Sequence, residues 1–156
     1  MINSSETGKF EALNNAKEEI KRADHLMFVS LKYTRTVDVI KSLIDRLIST
    51  IDNCMLAINE HLKDKKKISI IPRSPGSRVE IIKDNIKNDT LNEYIDFYTL
   101  LKKISRAEFT CYKEYRRKVT MRAKVDGKEL EVNLDAVRLY YDKTKELIPF
   151  VEELVR

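Results

Sequence analysis

Residues 37–63 read VDVIKSLIDRLISTIDNCMLAINEHLK, and the spacing of their apolar side chains sets the architecture. Val37, Ile40, Ile44, Leu47, Ile51, Cys54, Ile58 and His61/Leu62 recur at alternating steps of three and four for nearly four heptads. That is the period of one face of an α-helix. Leu43, Ile48 and Met55 widen the face. A stripe this broad belongs in the core of a helical bundle, or on a coiled-coil-like seam between two copies of the chain. Thr36 stands at the N-cap position, and Asp38 falls in the first turn, where a carboxylate meets the positive end of the helix dipole. Asp64-Lys65-Lys66-Lys67 closes the helix.

On the N-terminal side a second amphipathic pattern runs from about Lys9 to Tyr33, carried by Leu13, Ala16, Ile20, Ala23, Met27 and Leu31. Leu26 to Val29 is apolar on every side, which predicts a helix end buried all round. Thr34-Arg35-Thr36 reads as a junction, although one continuous helix fits the pattern too. Residues of about 1–8 form a polar tail with no apolar run, so the expectation is neither signal peptide nor anchor, and a cytoplasmic chain.

On the C-terminal side the loop of about 64–76 holds a short extended piece, Ile68-Ser69-Ile70-Ile71, then Pro72-Arg73-Ser74-Pro75-Gly76. Ser77 to Glu80 reads as a capping box opening a short helix to about Lys87. Thr90 to Glu93 reads as a second, opening a long helix to about Lys118. Asp126-Gly127 between two alternating runs is a type I′ hairpin signal. A two-residue turn pairs Val125 with Lys128, Lys124 with Glu129, Ala123 with Leu130, Arg122 with Glu131 and Met121 with Val132. Ala123, Leu130, Met121 and Val132 then share an apolar face. Lys124/Glu129 and Arg122/Glu131 form opposite-charge pairs on the other, worth roughly 0.2–1 kcal/mol each. The last helix runs from an Asn133 N-cap to about Val155, with Val137, Tyr140, Tyr141, Thr144, Ile148 and Val151 inward, and with Pro149 expected to kink or restart it.

The fold class that follows is mainly α: an antiparallel bundle of about five helices with one β-hairpin at about 119–132 before the last helix. A single domain spans 1–156. Three Gly and three Pro in 156 residues disfavour an all-β chain, which needs many tight turns. No stretch reaches the ~18–20 uninterrupted apolar residues of a membrane helix. Cys54 and Cys111 read as two small buried hydrophobes; a bridge between them would require a hyperthermophile source.

The net charge of +5 is unevenly placed. Residues 1–62 carry −1, residues 129–156 carry −3, and residues 63–128 hold 18 basic against 9 acidic side chains, a net +9. Such a segment attracts phosphate-rich partners. On the long predicted helix Lys102, Arg106, Lys113 and Arg117 fall within about 60° of one another at 100° per residue, and Arg116, Lys118, Arg122 and Lys124 follow. Tyr112, Tyr115 and Phe109 interleave but project toward the core side, so the sequence favours a solvated face over a stacking surface for this stripe. Glu108 projects among Leu101, Ile104, Cys111 and Tyr112. A carboxylate there acts as an acid/base or ligand contact or, the plainer reading, takes a buried hydrogen bond from a Tyr or Arg. Arg73, Ser77 and Arg78 surround a helix N-terminus and outline an anion site, with the capping box alone as the simpler account. Gly8, Gly76 and Gly127 are too scattered for a P-loop or dinucleotide fingerprint. Cys54 and His61 are too few for a metal, and no cofactor is expected.

The runs RADHLMFVSLKYTRTVDVIKSLIDRL (22–47) and YIDFYTLLKKISRAE (94–108), with the late hairpin and final helix, resemble a group of small uncharacterised archaeal proteins whose layout is similar to the HEPN superfamily of helical bundles. Active HEPN ribonucleases carry an Arg followed four to six residues later by a His. Here His25 follows Arg22 by three and His61 follows Arg46 by fifteen, so the resemblance implies a bundle fold and no catalytic residue. The sequence thus points to a non-enzymatic helical interaction protein, a homodimer through the 37–62 seam, contacting RNA or another acidic partner through its basic middle segment. The alternative is a divergent nuclease or small-ligand-binding domain centred on Glu108.

Overall fold

The computed structural model describes residues 4–156, with side chains from Gly8 onward. Helix α1 (Ser4–His25) continues through a π-helical turn (Leu26–Ser30) and a last α-turn (Leu31–Tyr33). Helix α2 (Val37–Asp64), α3 (Pro75–Asn85) and α4 (Asp89–Arg106) follow. Strands β1 (Phe109–Tyr112), β2 (Thr120–Val125) and β3 (Lys128–Val132) precede α5 (Leu134–Leu154). The polar tail is therefore shorter than the sequence suggests: Ser4 to Gly8 are helical, and the part of that reading at 1–3 lies outside the described residues.

Helix α2 is the hub. Thr36 caps it, its hydroxyl accepting from the Val39 N–H at 3.3 Å. Every apolar member of the 3–4 pattern from Val37 to Leu62 is buried. The stripe is consumed by contacts with α1, α3, α4 and α5, so it leaves no seam for a second copy. At the far end Lys66 takes a left-handed φ of 58°. The Lys67 N–H returns to Leu62 O at 2.9 Å, and the Lys66 N–H to Lys63 O at 3.0 Å. That is the Schellman stop, with lysine where glycine usually stands.

Cross-helix bonds give the directions. Lys9 Nζ donates to Val155 O at 2.8 Å, and Phe28 meets Tyr141 edge-on at 5.6 Å, so α1 and α5 are antiparallel. Arg46 pairs with Glu19 at 3.2 Å, and Ser105 Oγ donates to Asp45 at 2.8 Å, so α2 runs against both α1 and α4. The result is an up-down-up-down bundle. Its one end collects the 34–36 junction, the sheet and Asn133. Two Tyr–Asp hydrogen bonds link helices inside it, Tyr98 to Asp52 and Tyr141 to Asp24.

Several local readings need correction. Ser74, not Ser77, caps α3: its Oγ accepts from the Ser77 N–H at 3.1 Å, because Pro75 fits the first helical position, where no N–H is needed. Asn88, not Thr90, caps α4, accepting from the Leu91 N–H at 2.9 Å. Leu26 to Val29 is not enclosed; Phe28 and Val29 are each 42% exposed. Eight residues of regular α-helix would leave Leu31 about 80° round from Ala23. The wider π turn absorbs that rotation and returns Leu31 to the buried stripe, while Phe28 and Val29 turn outward. Helix α5 runs as one helix through Pro149, which lies on the exposed side, where water can reach the carbonyl its missing N–H leaves free.

The largest departure is in α4, which stops at Arg106, twelve residues short of Lys118. Phe109-Thr110-Cys111-Tyr112, β-branched and aromatic in part, pairs instead with the open edge of β2. The hairpin is thus two strands of a three-stranded antiparallel sheet, order β1-β2-β3. The β2–β3 register is the one expected from the Asp-Gly turn at all five pairs. Met121, Ala123 and Val132 are fully buried under it. On the outer face Arg122 serves both glutamates, Glu129 at 3.7 Å and Glu131 at 3.6 Å, in place of the expected Lys124–Glu129 pair.

Candidate nucleic-acid interface

The β1–β2 connection, residues 113–118, reads Lys-Glu-Tyr-Arg-Arg-Lys. Its shape is set at both ends. Tyr112 and Thr120 are paired in the sheet, and Val119 is fully buried. Within the loop Lys113 and Tyr115 adopt left-handed φ of 51° and 67°. The Arg116 N–H closes on Lys113 O at 3.3 Å, the Val119 N–H on Arg116 O at 3.0 Å, and the Tyr115 N–H on Arg35 O at 2.6 Å. That last bond anchors the loop to the junction between α1 and α2.

Lys113, Arg116, Arg117 and Lys118 are all exposed. Among the described residues none of the four has a carboxylate within ion-pair distance, whereas Lys103 pairs with Asp126 at 2.9 Å and Arg122 with two glutamates. The one acid in the loop, Glu114, accepts a hydrogen bond from the Cys111 thiol, which with the charge of Glu114 pushes that thiol up to about 11. Tyr112 is 37% exposed, Tyr115 76% and, across the junction, Tyr33 79%. The Arg122 guanidinium stacks on the Tyr112 ring at 3.7 Å. Lys113, Arg117 and Lys118 border an open groove of about 460 Å³ that Tyr112, Thr120, Glu131 and Asp135 also line, neither acid being within ion-pair distance of these three cations.

The predicted basic stripe does not exist as one surface, because its members do not share a helix. Lys102 is half-buried with its ammonium 4.2 Å from the centre of the Tyr98 ring. Arg106 is exposed in the last turn of α4 and shares a groove of about 500 Å³ with Lys103 and Lys124, beside Asp126. Lys113, Arg116 and Arg117 lie in the loop at the other end of β2, about 17 Å away by the rise of a six-residue strand. The same change of backbone overturns the placement of the tyrosines: Tyr112 and Tyr115 face solvent among the cations, not the core.

Glu108 is not a buried carboxylate. With the helix ended it falls in the bend before β1 and is exposed, its backbone carbonyl accepting from the Lys124 N–H at 2.9 Å. It borders an open groove of about 630 Å³ with Arg122, Lys128 and Glu129. The Arg73, Ser77 and Arg78 trio is not brought together as an anion cradle. The Ser77 hydroxyl pairs with Ser74 Oγ at 2.9 Å, Arg78 Nε donates to Pro72 O at 2.8 Å, and Arg73 is exposed. Cys54 is buried, its thiol pushed up to about 12 by desolvation, but Cys111 lies exposed on the edge strand, so only one cysteine is a core hydrophobe; both are free. No group of three or more His, Cys, Asp or Glu that could hold a metal occurs among the described residues. No helix among them is long and apolar enough to cross a membrane.

Reading from sequence missed Tyr33 and Arg35 as members of this end of the bundle. The available signal was the break in helical character at Phe109-Thr110-Cys111-Tyr112. Searches of family models, curated proteins and solved structures return no match to this chain.

Proposed function

We propose that this chain is a binding protein for RNA, and that the 113–118 loop grips the phosphate backbone. The observation that supports the reading is the loop itself: four exposed cations without carboxylate partners in six residues, on a backbone held by bonds to the rest of the fold. Cations with no internal partner are free to displace counterions from a polyanion, which is the main source of nucleic-acid affinity. The fixed turn lowers the ordering cost of binding. The HEPN-like layout lends no residue to this reading, since the Arg–His spacing is missing.

The test is the salt dependence of binding to a 12-nucleotide RNA. Four neutralised phosphates predict a slope of log K against log salt near −2.8 for a single strand, or about a 50-fold loss of affinity from 50 to 200 mM. Replacing Arg116, Arg117 and Lys118 together by alanine lowers the slope by about 2. A flat salt response, or a triple variant that binds as the parent does, refutes the reading.

A further inference from the structure

We infer that the basic end of the bundle selects single-stranded nucleic acid, with Tyr115 and Tyr33 as the surfaces on which two unpaired bases stack; the inference rests on the phosphate-binding reading above. Single exposed aromatics are ordinary on protein surfaces. These two are not scattered. Tyr115 stands inside the cationic loop, and its N–H is bonded to the carbonyl of Arg35, two residues along from Tyr33. Chain geometry therefore keeps their Cα atoms within about 14 Å.

Tyr115 also occupies a conformation that bulky residues avoid. Its φ of 67° lies in the left-handed region. The bond to Arg35 holds it there and keeps the ring 76% exposed instead of folding it onto the sheet. Tyr112 differs, since the Arg122 guanidinium covers one face of its ring at 3.7 Å, whereas the Lys32 ammonium comes no nearer than 5.9 Å to the centre of the Tyr33 ring. Tyr115 and Tyr33 remain as open aromatic surfaces beside phosphate-binding cations. Bases in a duplex are stacked on one another and cannot reach such rings, whereas unpaired bases can. The loop cations serve either form, so discrimination comes from the tyrosines.

The experiment compares the intact chain with Tyr115→Asn and Tyr33→Leu, using fluorescence anisotropy at several salt concentrations from about 50 to 200 mM. The probes are a 12-nucleotide oligouridine and a 12-base-pair RNA duplex. Asparagine tolerates left-handed backbone, so the first variant removes the ring and keeps the loop; thermal melts confirm that both variants fold. The parent is expected to prefer the single strand at least tenfold. Each variant is expected to lose about tenfold on the single strand, with duplex affinity and salt slope unchanged. Equal affinity of the parent for both probes, or variants within twofold of the parent on oligouridine, overturns the stacking inference and leaves the phosphate reading standing. Binding of neither probe at low salt overturns both.

Discussion

Replacing Tyr98 by phenylalanine isolates one part-buried hydrogen bond that ties α2 to α4. The ring of Tyr98 is buried, and its hydroxyl donates to the half-buried carboxylate of Asp52. Phenylalanine keeps the packing and the Lys102 ammonium over the ring but leaves the carboxylate short of a donor. Orphaning a buried acceptor costs about 1–3 kcal/mol. At the midpoint of that range the melting temperature falls by about 6 °C for a domain of this size. The loss has a pH signature. Burial raises the Asp52 pKa above its ordinary 3.8, and the Tyr98 bond, Lys102 and Arg78 pull it back down. Without the hydroxyl it rises further. A carboxyl whose folded pKa is raised contributes stability that is fully present below pH 3.8 and is lost as pH climbs through the folded value. The penalty of Tyr98→Phe is therefore larger at pH 7 than at pH 4, and Asp52→Asn in the same background recovers part of it. Thermal denaturation monitored by circular dichroism at the two pH values reads both effects. A melting point within 1 °C of the parent at pH 7, or a penalty as large at pH 4, refutes the reasoning.

Cap placement is tested by alanine at Asn88, Asn133 and Thr90. Urea denaturation should show about 1 kcal/mol lost at each of the first two, which accept from the Leu91 and Ala136 N–H groups, and less than about 0.5 at Thr90. Cys111, exposed but with its thiol held up near 11 by Glu114, should alkylate slowly at pH 7, with a rate rising about tenfold per pH unit. Glu114→Gln should speed the reaction at pH 7, and Cys54 should react only on unfolding, which mass spectrometry of the labelled peptides would show.

Much of the fold is written in local chemistry. The 3–4 spacing of 37–62 specifies α2 and its breadth, and Thr36 and Asn133 are caps because their side chains bond backbone only three residues on. The Asp126-Gly127 turn fixes all five hairpin pairs because a two-residue loop leaves no slack in register. These features depend on neighbours within a turn or two, so the chain alone determines them. Residues 107–118 are different. Nothing nearby forbids helix there, and a projection at 100° per residue yields a plausible basic stripe and a buried Glu108. What ends α4 at Arg106 is the open edge of β2, whose partner residues lie 8 to 14 positions further along and are in place only when the hairpin rests on the core. That pairing turns Tyr112 and Tyr115 outward, exposes Glu108 and sends Lys113, Arg116 and Arg117 to the far end of the sheet from Lys102 and Arg106. The candidate site was legible as an excess of charge in one segment. Its location, its open tyrosines and its tie to Arg35 were decided by non-local packing, because backbone hydrogen-bond partners distant in sequence outweigh a weak local preference for helix.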